Sequence, residues 1–233
     1  MCMKEKLVPG GILEPVSGKS FLFFGTNHKT SDFMADGLLL WWQHREPELR
    51  DIEKLVINLD NGPECNGRRS QFLLRMTEFA DTTGLSVRLV YYPPYHSKYN
   101  AIERYWAELE KSWNGYLLST VDTVISRARN FCWKGSRTIA SLVDAVYEKG
   151  VKICGREKRE LERRLERSTA LTFWDVTIHP KPAEPEPNRQ YKTSAVRRFI
   201  GRSTDLRPCN CSRTSRESKN NPLGLEAFRQ MRH

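Results

Sequence analysis

Three short apolar runs, separated by helix-length amphipathic segments, constrain this chain more than anything else in it. Ser20-Phe21-Leu22-Phe23-Phe24-Gly25 is bounded by Ser17-Gly18 and by Gly25-Thr26. Residues 54–60, Lys-Leu-Val-Ile-Asn-Leu-Asp, form a second run that ends in an acid and an Asn-Gly turn. Residues 86–91, Ser-Val-Arg-Leu-Val-Tyr, form a third, stopped by Pro93-Pro94. Runs this short and this apolar read as buried strands. Between the first two, Thr30-Ser31-Asp32 supplies N-cap candidates for a helix ending near His44. Between the second and third, residues 71–82 are amphipathic, with Phe72, Leu73, Met76, Phe79 and Ala80 on one side. The alternation predicts an α/β fold, a sheet with parallel neighbours and helices on its faces. In such sheets the working residues lie beyond the carboxyl ends of the strands.

Further helices are expected over 101–114, 121–132, 139–149 and 156–167. Trp41-Trp42 and the pair Trp106 and Trp113, seven apart, read as core positions. Composition changes near Pro180. Lys181-Pro182-Ala183-Glu184-Pro185-Glu186-Pro187 reads as an extended linker. The rest, to residue 233, is rich in Arg, Ser, Thr and Asn and is too polar to order itself, apart from an isolated helix possible over 223–231. The expected division is therefore a domain at 1–180 and a basic, disordered tail at 181–233. The net charge of +10 favours a polyanionic partner. It is concentrated in the tail, where 12 Lys and Arg face 5 Asp and Glu. No run of 18 apolar residues exists, which argues against a membrane span. The six cysteines form no C-x-x-C pair, and Cys209 and Cys211 alone do not close a zinc site. No G-x-S-x-G elbow, Walker A loop or G-x-G-x-x-G loop is present.

Two segments place acids at strand ends. Asp60 closes the second run and is followed by Asn61-Gly62-Pro63-Glu64. By itself such an Asp reads most simply as the cap of an Asx-turn. Glu103 follows the third run, after a loop rigidified by Pro93-Pro94, three residues beyond an N-cap candidate, Asn100. By itself it reads as the acid of a capping box. Together, a strand-end Asp and a first-turn Glu 43 positions later can meet above one sheet. Paired carboxylates suit Mg²⁺ or Mn²⁺, which keep several waters and use few protein ligands. Such ions serve phosphodiester transfer.

Asp60-Asn61-Gly62-Pro63-Glu64 and the long segment Tyr91-Tyr92-Pro93-Pro94-Tyr95-His96-Ser97-Lys98-Tyr99-Asn100-Ala101-Ile102-Glu103-Arg104-Tyr105-Trp106 resemble the DDE transposases of bacterial insertion sequences. The resemblance is to the ISAzo group, also described as the Rhodopirellula-type transposase DDE domain. Gly10-Gly11-Ile12-Leu13, Lys29-Thr30-Ser31-Asp32-Phe33, Trp113-Asn114-Gly115 and Trp133-Lys134-Gly135 also match it, so it spans roughly residues 8–178. It implies an RNase H-like catalytic core, with Asp60 and Glu103 as the second and third catalytic acids and metal ligands. It also implies Mg²⁺ or Mn²⁺ as cofactor, and transposon ends and target DNA as partners. A cytoplasmic, nucleoid-associated protein follows, and the reading allows a homo-oligomer.

Two departures stand out. Ala101 replaces the family's usual Pro, a mild change at a helix start. The family's first catalytic Asp lies on an earlier strand, upstream of Gly11, and residues 1–19 contain no Asp. Glu5 and Glu14 lie in loop-like sequence, and Asp32 and Asp36 fall on the following helix, so none of them takes that role. The chain is thus expected to be an N-terminally truncated transposase with little strand-transfer activity alone, whose incomplete sheet leaves a central strand unpaired on one edge. His96, Lys98 and Arg104 are the candidate contacts to DNA phosphate. The rival readings are a noncatalytic DNA-binding remnant and a metal-dependent nuclease of the same fold.

Overall fold

The computed structural model describes residues 6–93, 100–182 and 223–227. In chain order the elements are β1 (Val8–Leu13), β2 (Ser20–Gly25), α1 (Ser31–Arg45), β3 (Lys54–Leu59), α2 (Ser70–Thr83), β4 (Ser86–Tyr91), α3 (Ala101–Ser112) and α4 (Val121–Arg129). There follow β5 (Cys132–Trp133), β6 (Ser136–Arg137), β7 (Ile139–Val143), α5 (Gly155–Glu162), β8 (Leu165–Arg167), β9 (Asp175–Ile178) and β10 (Leu223–Ala227). Eight strands form one mixed sheet in the order β7-β2-β1-β10-β3-β4-β9-β8, and β5 and β6 form a separate hairpin.

The three apolar runs form β2, β3 and β4 as expected. β2 is buried along its whole length because both its faces are covered. Phe21 and Phe23 face the layer of α1 and α2, together with Ile57, Leu59, Phe72 and Met76. Leu22 and Phe24 face α3 and α4, with Leu13, Ile102, Trp106 and Ile125. Helices thus cover both faces of a central sheet. Trp41 and Trp106 are core residues, as their spacing indicates. Two glycines make room for Phe23: a Cβ on Gly10 or Gly37 would lie 2.3 or 2.2 Å from its ring, far inside van der Waals contact. The α1 N-terminus is capped by Thr30, whose Oγ1 accepts from Phe33 N.

Several expectations fail. Residues 139–149 do not form a helix. Ile139–Val143 is strand β7, paired parallel with Phe21–Gly25, because a β-branched apolar segment gains more by covering the exposed edge of β2 than by forming an isolated turn of helix. The helix expected over 156–167 ends at Glu162, and Leu165–Arg167 turns back as β8 to pair with β9. Glu14 does lie in the loop after β1, but that loop buries it. It is 2% exposed and accepts from Arg45 Nε at 2.6 Å, Arg45 Nη2 at 3.0 Å, Trp41 Nε1 at 3.3 Å and Ser17 Oγ at 2.7 Å.

The tail supplies the largest difference. Leu223–Ala227 forms a strand where a helix was expected. It lies between β1 and β3, parallel to Leu55–Leu59 and antiparallel at Ile12 and Leu13. Without it, the facing edges of β1 and β3 would be the unpaired central gap anticipated for this sheet. With it, the backbone ladder runs continuously from β2 to β4, and Leu225 is fully buried in the core.

Candidate active site

The topology brings one end of several strands together. β10 is parallel to β3 and antiparallel to β1, β1 is antiparallel to β2, and β3 is parallel to β4. The carboxyl ends of β2, β3 and β4 therefore share one edge of the sheet. Lys29 follows β2, Asp60 follows β3, and Asn100 and Glu103 follow β4 across the loop. Asn100 caps α3, its Oδ1 accepting from Ile102 N at 3.3 Å, and this sets Glu103 in the helix's first turn. Ile102, Tyr105, Trp106 and Leu109 hold that helix to the sheet.

The turn after β3 is not closed by the Asp60 side chain. The Gly62 carbonyl accepts from Cys65 N at 3.2 Å and from Asn66 N at 3.0 Å, and Asn66 Nδ2 donates to the same oxygen. The Asp60 carboxylate instead faces the Cys65 thiol, with Sγ 3.5 Å from Oδ1 and 3.3 Å from the Asp60 carbonyl. Burial pushes the Asp60 carboxyl above the ordinary Asp range. The Lys29 charge and the Cys65 hydrogen bond oppose the rise, and the like charges of Glu103 and Glu64 add to it. Asp60 and Glu103 are therefore within electrostatic reach of one another. The open side of Gly62 gathers the same groups: a Cβ there would lie 3.4 Å from Asp60 Oδ1, 3.6 Å from Cys65 Sγ and 3.8 Å from Glu64 Oε2.

Burial, followed by the Asp60 charge, raises the Cys65 thiol well above its ordinary value, so it stays protonated and is no soft-metal ligand. What remains is a set of hard carboxylate oxygens under mutual repulsion, a donor chemistry that fits Mg²⁺ or Mn²⁺. Among the described residues no cluster of three or more His, Cys, Asp or Glu side chains is arranged to hold a metal ion. Lys29, Glu64 and Cys65 were not singled out in the sequence as site residues. The signal for Lys29 was its position just past a strand's carboxyl end, in the segment 29–33.

His96 and Lys98 lie outside the described residues. Arg104 is exposed on α3, beside Glu103 in sequence, and joins no ion pair among the described residues. Asp32 and Asp36 serve structure: Gln71 Nε2 donates to Asp32 Oδ1 at 3.0 Å, Arg75 Nη2 to Asp36 Oδ1 at 2.6 Å, and the Tyr147 hydroxyl to Asp36 Oδ2 at 2.8 Å.

The parallel pairing of β3 and β4 sets Asp60 and Glu103 past the carboxyl ends of adjacent strands of an α/β sheet. Residues 2–180 match the family described as the Rhodopirellula transposase DDE domain, and the chain belongs to that family of DDE transposases. Neither the curated proteins nor the solved structures contain a match to it. No helix among the described residues is long and apolar enough to cross a membrane.

Proposed function

We propose that this protein is a DDE-type transposase acting on insertion-sequence DNA, with Asp60 and Glu103 as the acids that hold Mg²⁺ or Mn²⁺. Residues 1–180 form the catalytic unit on this reading, their sheet completed by β10, with an RNase H-like arrangement of the sheet. The observation that carries it is the Asp60 carboxyl, buried past the end of β3 within reach of the Glu103 charge. A buried carboxylate beside a second acid is unfavourable unless a cation offsets the charge. A divalent ion, when bound, activates the attacking hydroxyl and stabilises the leaving oxygen. The protein's own residues do the rest. β3 and α3 fix the two carboxylates on rigid elements, the Cys65 thiol orients Asp60 by donating to it, and Lys29 supplies positive charge at the edge where the DNA phosphate would lie. His96 and Lys98, which precede Glu103 in the sequence, and Arg104, which follows it, are assigned to the DNA backbone, whose contacts position the protein without specifying sequence. On this reading no residue is assigned the role of the family's first catalytic acid, and the strand-transfer rate of the chain is expected to be low.

Manganese titration followed by electron paramagnetic resonance tests the metal assignment. Asp60→Asn and Glu103→Gln should each weaken Mn²⁺ binding at least tenfold. Retention of wild-type affinity by both refutes it. Any Mn²⁺-dependent cleavage should prefer a duplex carrying insertion-sequence terminal repeats over a scrambled duplex; equal cleavage of the two makes the protein a nuclease.

A further inference from the structure

Beside the acid pair lies a cavity of about 370 Å³. It is built where three segments converge: the turn from β2 into α1, the loop from β3 into α2, and residues 148–151 after β7. The size lies within the range of small-ligand sites. Its wall nearest Asp60 is Glu64, whose carboxylate shares with Asp60 the open side of Gly62.

Three of the polar groups lining it have a buried atom without a hydrogen-bond partner. Glu64 Oε2 is buried without a hydrogen bond. Gln71 donates its Nε2 to Asp32, which leaves Oε1 as a buried acceptor without a donor. Arg69 Nε is a buried donor without an acceptor. Arg69 also occupies the N-cap of α2 with no side-chain cap, and the first turn of that helix carries no acid. Lys29 and Lys149 line the same space, and neither forms an ion pair among the described residues.

Buried polar atoms left unpaired are costly and mark a missing partner. Two kinds of partner are called for at once. Glu64 and Gln71 are acceptors that want N–H donors. Lys29, Lys149, Arg69 and the uncapped start of α2 want an anion. A nucleotide with an exocyclic amine has both ends. We propose that this cavity takes one unpaired nucleotide of the DNA strand, whose base amine donates to Glu64 and Gln71 and whose phosphate lies on Lys29 and Lys149. Adenine, cytosine and guanine carry such an amine, and thymine does not. The inference rests on the reading of DNA as substrate, and it adds that a nucleotide next to the reacting phosphodiester leaves the base stack, as a base held in a protein pocket must.

The test uses the full chain in EDTA, so that it does not depend on the metal site. Binding of dAMP, dCMP and dTMP is measured by saturation-transfer NMR. The expected result is that dAMP and dCMP bind at least fivefold tighter than dTMP. Gln71→Leu should reduce them to the dTMP level, and Lys149→Ala should weaken all three by a similar factor. Lys149 is exposed, so its variant tests the cavity without threatening the fold, and Gln71→Leu counts only if its melting temperature stays near wild type. Equal binding of dTMP and dCMP, or wild-type affinity of the Lys149→Ala protein for every nucleotide, overturns the proposal. Wild-type Mn²⁺ affinity in both Asp60→Asn and Glu103→Gln would instead overturn the metal assignment and leave the nucleotide result standing.

Discussion

The place of β10 in the sheet is the most exposed claim about this fold, and Leu225 tests it. The residue lies 43 positions beyond the last described residue of the main body, Pro182, yet it is fully buried between β1 and β3, packed with the core that contains Ile57. Truncation of a fully buried leucine costs about 2.7–5 kcal/mol, the sum of lost transfer energy and the residual cavity. Taking about 3 kcal/mol, and about 2–4 °C per kcal/mol for a protein of this size, Leu225→Ala should lower the melting temperature by about 6–12 °C. The control is Val16→Ala. Val16 is 81% exposed, and a substitution there should change stability by less than about 0.5 kcal/mol. Thermal melts of the full-length variants, with urea denaturation as a second measure, make the comparison. Equal melting of Leu225→Ala and Val16→Ala would show that β10 is not part of the folded sheet, and the continuity of the sheet from β2 to β4 would go with it. Hydrogen exchange gives an independent reading, because the amides of β3 that pair with β10 should lose protection in Leu225→Ala before those that pair with β4.

Further outcomes follow from the charges. The Asp60 carboxyl is raised in the folded protein, chiefly by burial, so the folded state holds its proton to higher pH than the unfolded chain does. Stability from this group is therefore greatest below the ordinary Asp value of about 4 and falls as pH rises through the folded value. Asp60→Asn in EDTA should melt above wild type at pH 7, with the gap closing as pH falls towards 4; a gap that widens at low pH would contradict the sign. The Glu14–Arg45 pair is buried at both ends, 3% and 8% exposed in its side chains. Removing one partner, as in Glu14→Ala, should cost about 3 kcal/mol, because it leaves the buried guanidinium with only the exposed Glu48 as a carboxylate partner, whereas Arg88→Ala, half exposed in its pair with Asp175, should cost about 1 kcal/mol or less. Chemical denaturation of the two variants separates them.

Local chemistry was legible wherever it was strong. Phe21–Phe24, Leu55–Leu59 and Val87–Val90 are apolar enough that no other environment suits them, and they are the strands. Thr30 and Asn100 sit immediately before apolar-periodic segments, and each caps its helix. Asp60 and Glu103 fall past strand ends, and the parallel pairing of β3 and β4 carries them to one edge of the sheet. Turn chemistry was less legible: Asp60 by itself fits an Asx-turn, but the Gly62 carbonyl and Asn66 close the turn in its place.

What tertiary structure alone decided lies in segments whose own preference is weak. Val8-Pro9-Gly10-Gly11 reads locally as a turn, yet it is strand β1, because Gly10 and Gly11 admit Phe23 and Trp106 at distances no other residue would allow. Ile139–Val143 has no periodicity long enough to separate strand from helix, and the open edge of β2 settled the matter. Leu223-Gly224-Leu225-Glu226-Ala227, set in a polar tail, has no strand signal of its own, and its conformation comes entirely from two edges that lie more than 160 residues before it in the chain. Sequence determines those elements whose burial demand is met within a few residues. Where the stabilising partner is a hydrogen-bonding edge far away along the chain, the structure is a property of the assembled sheet, and only the folded molecule holds it.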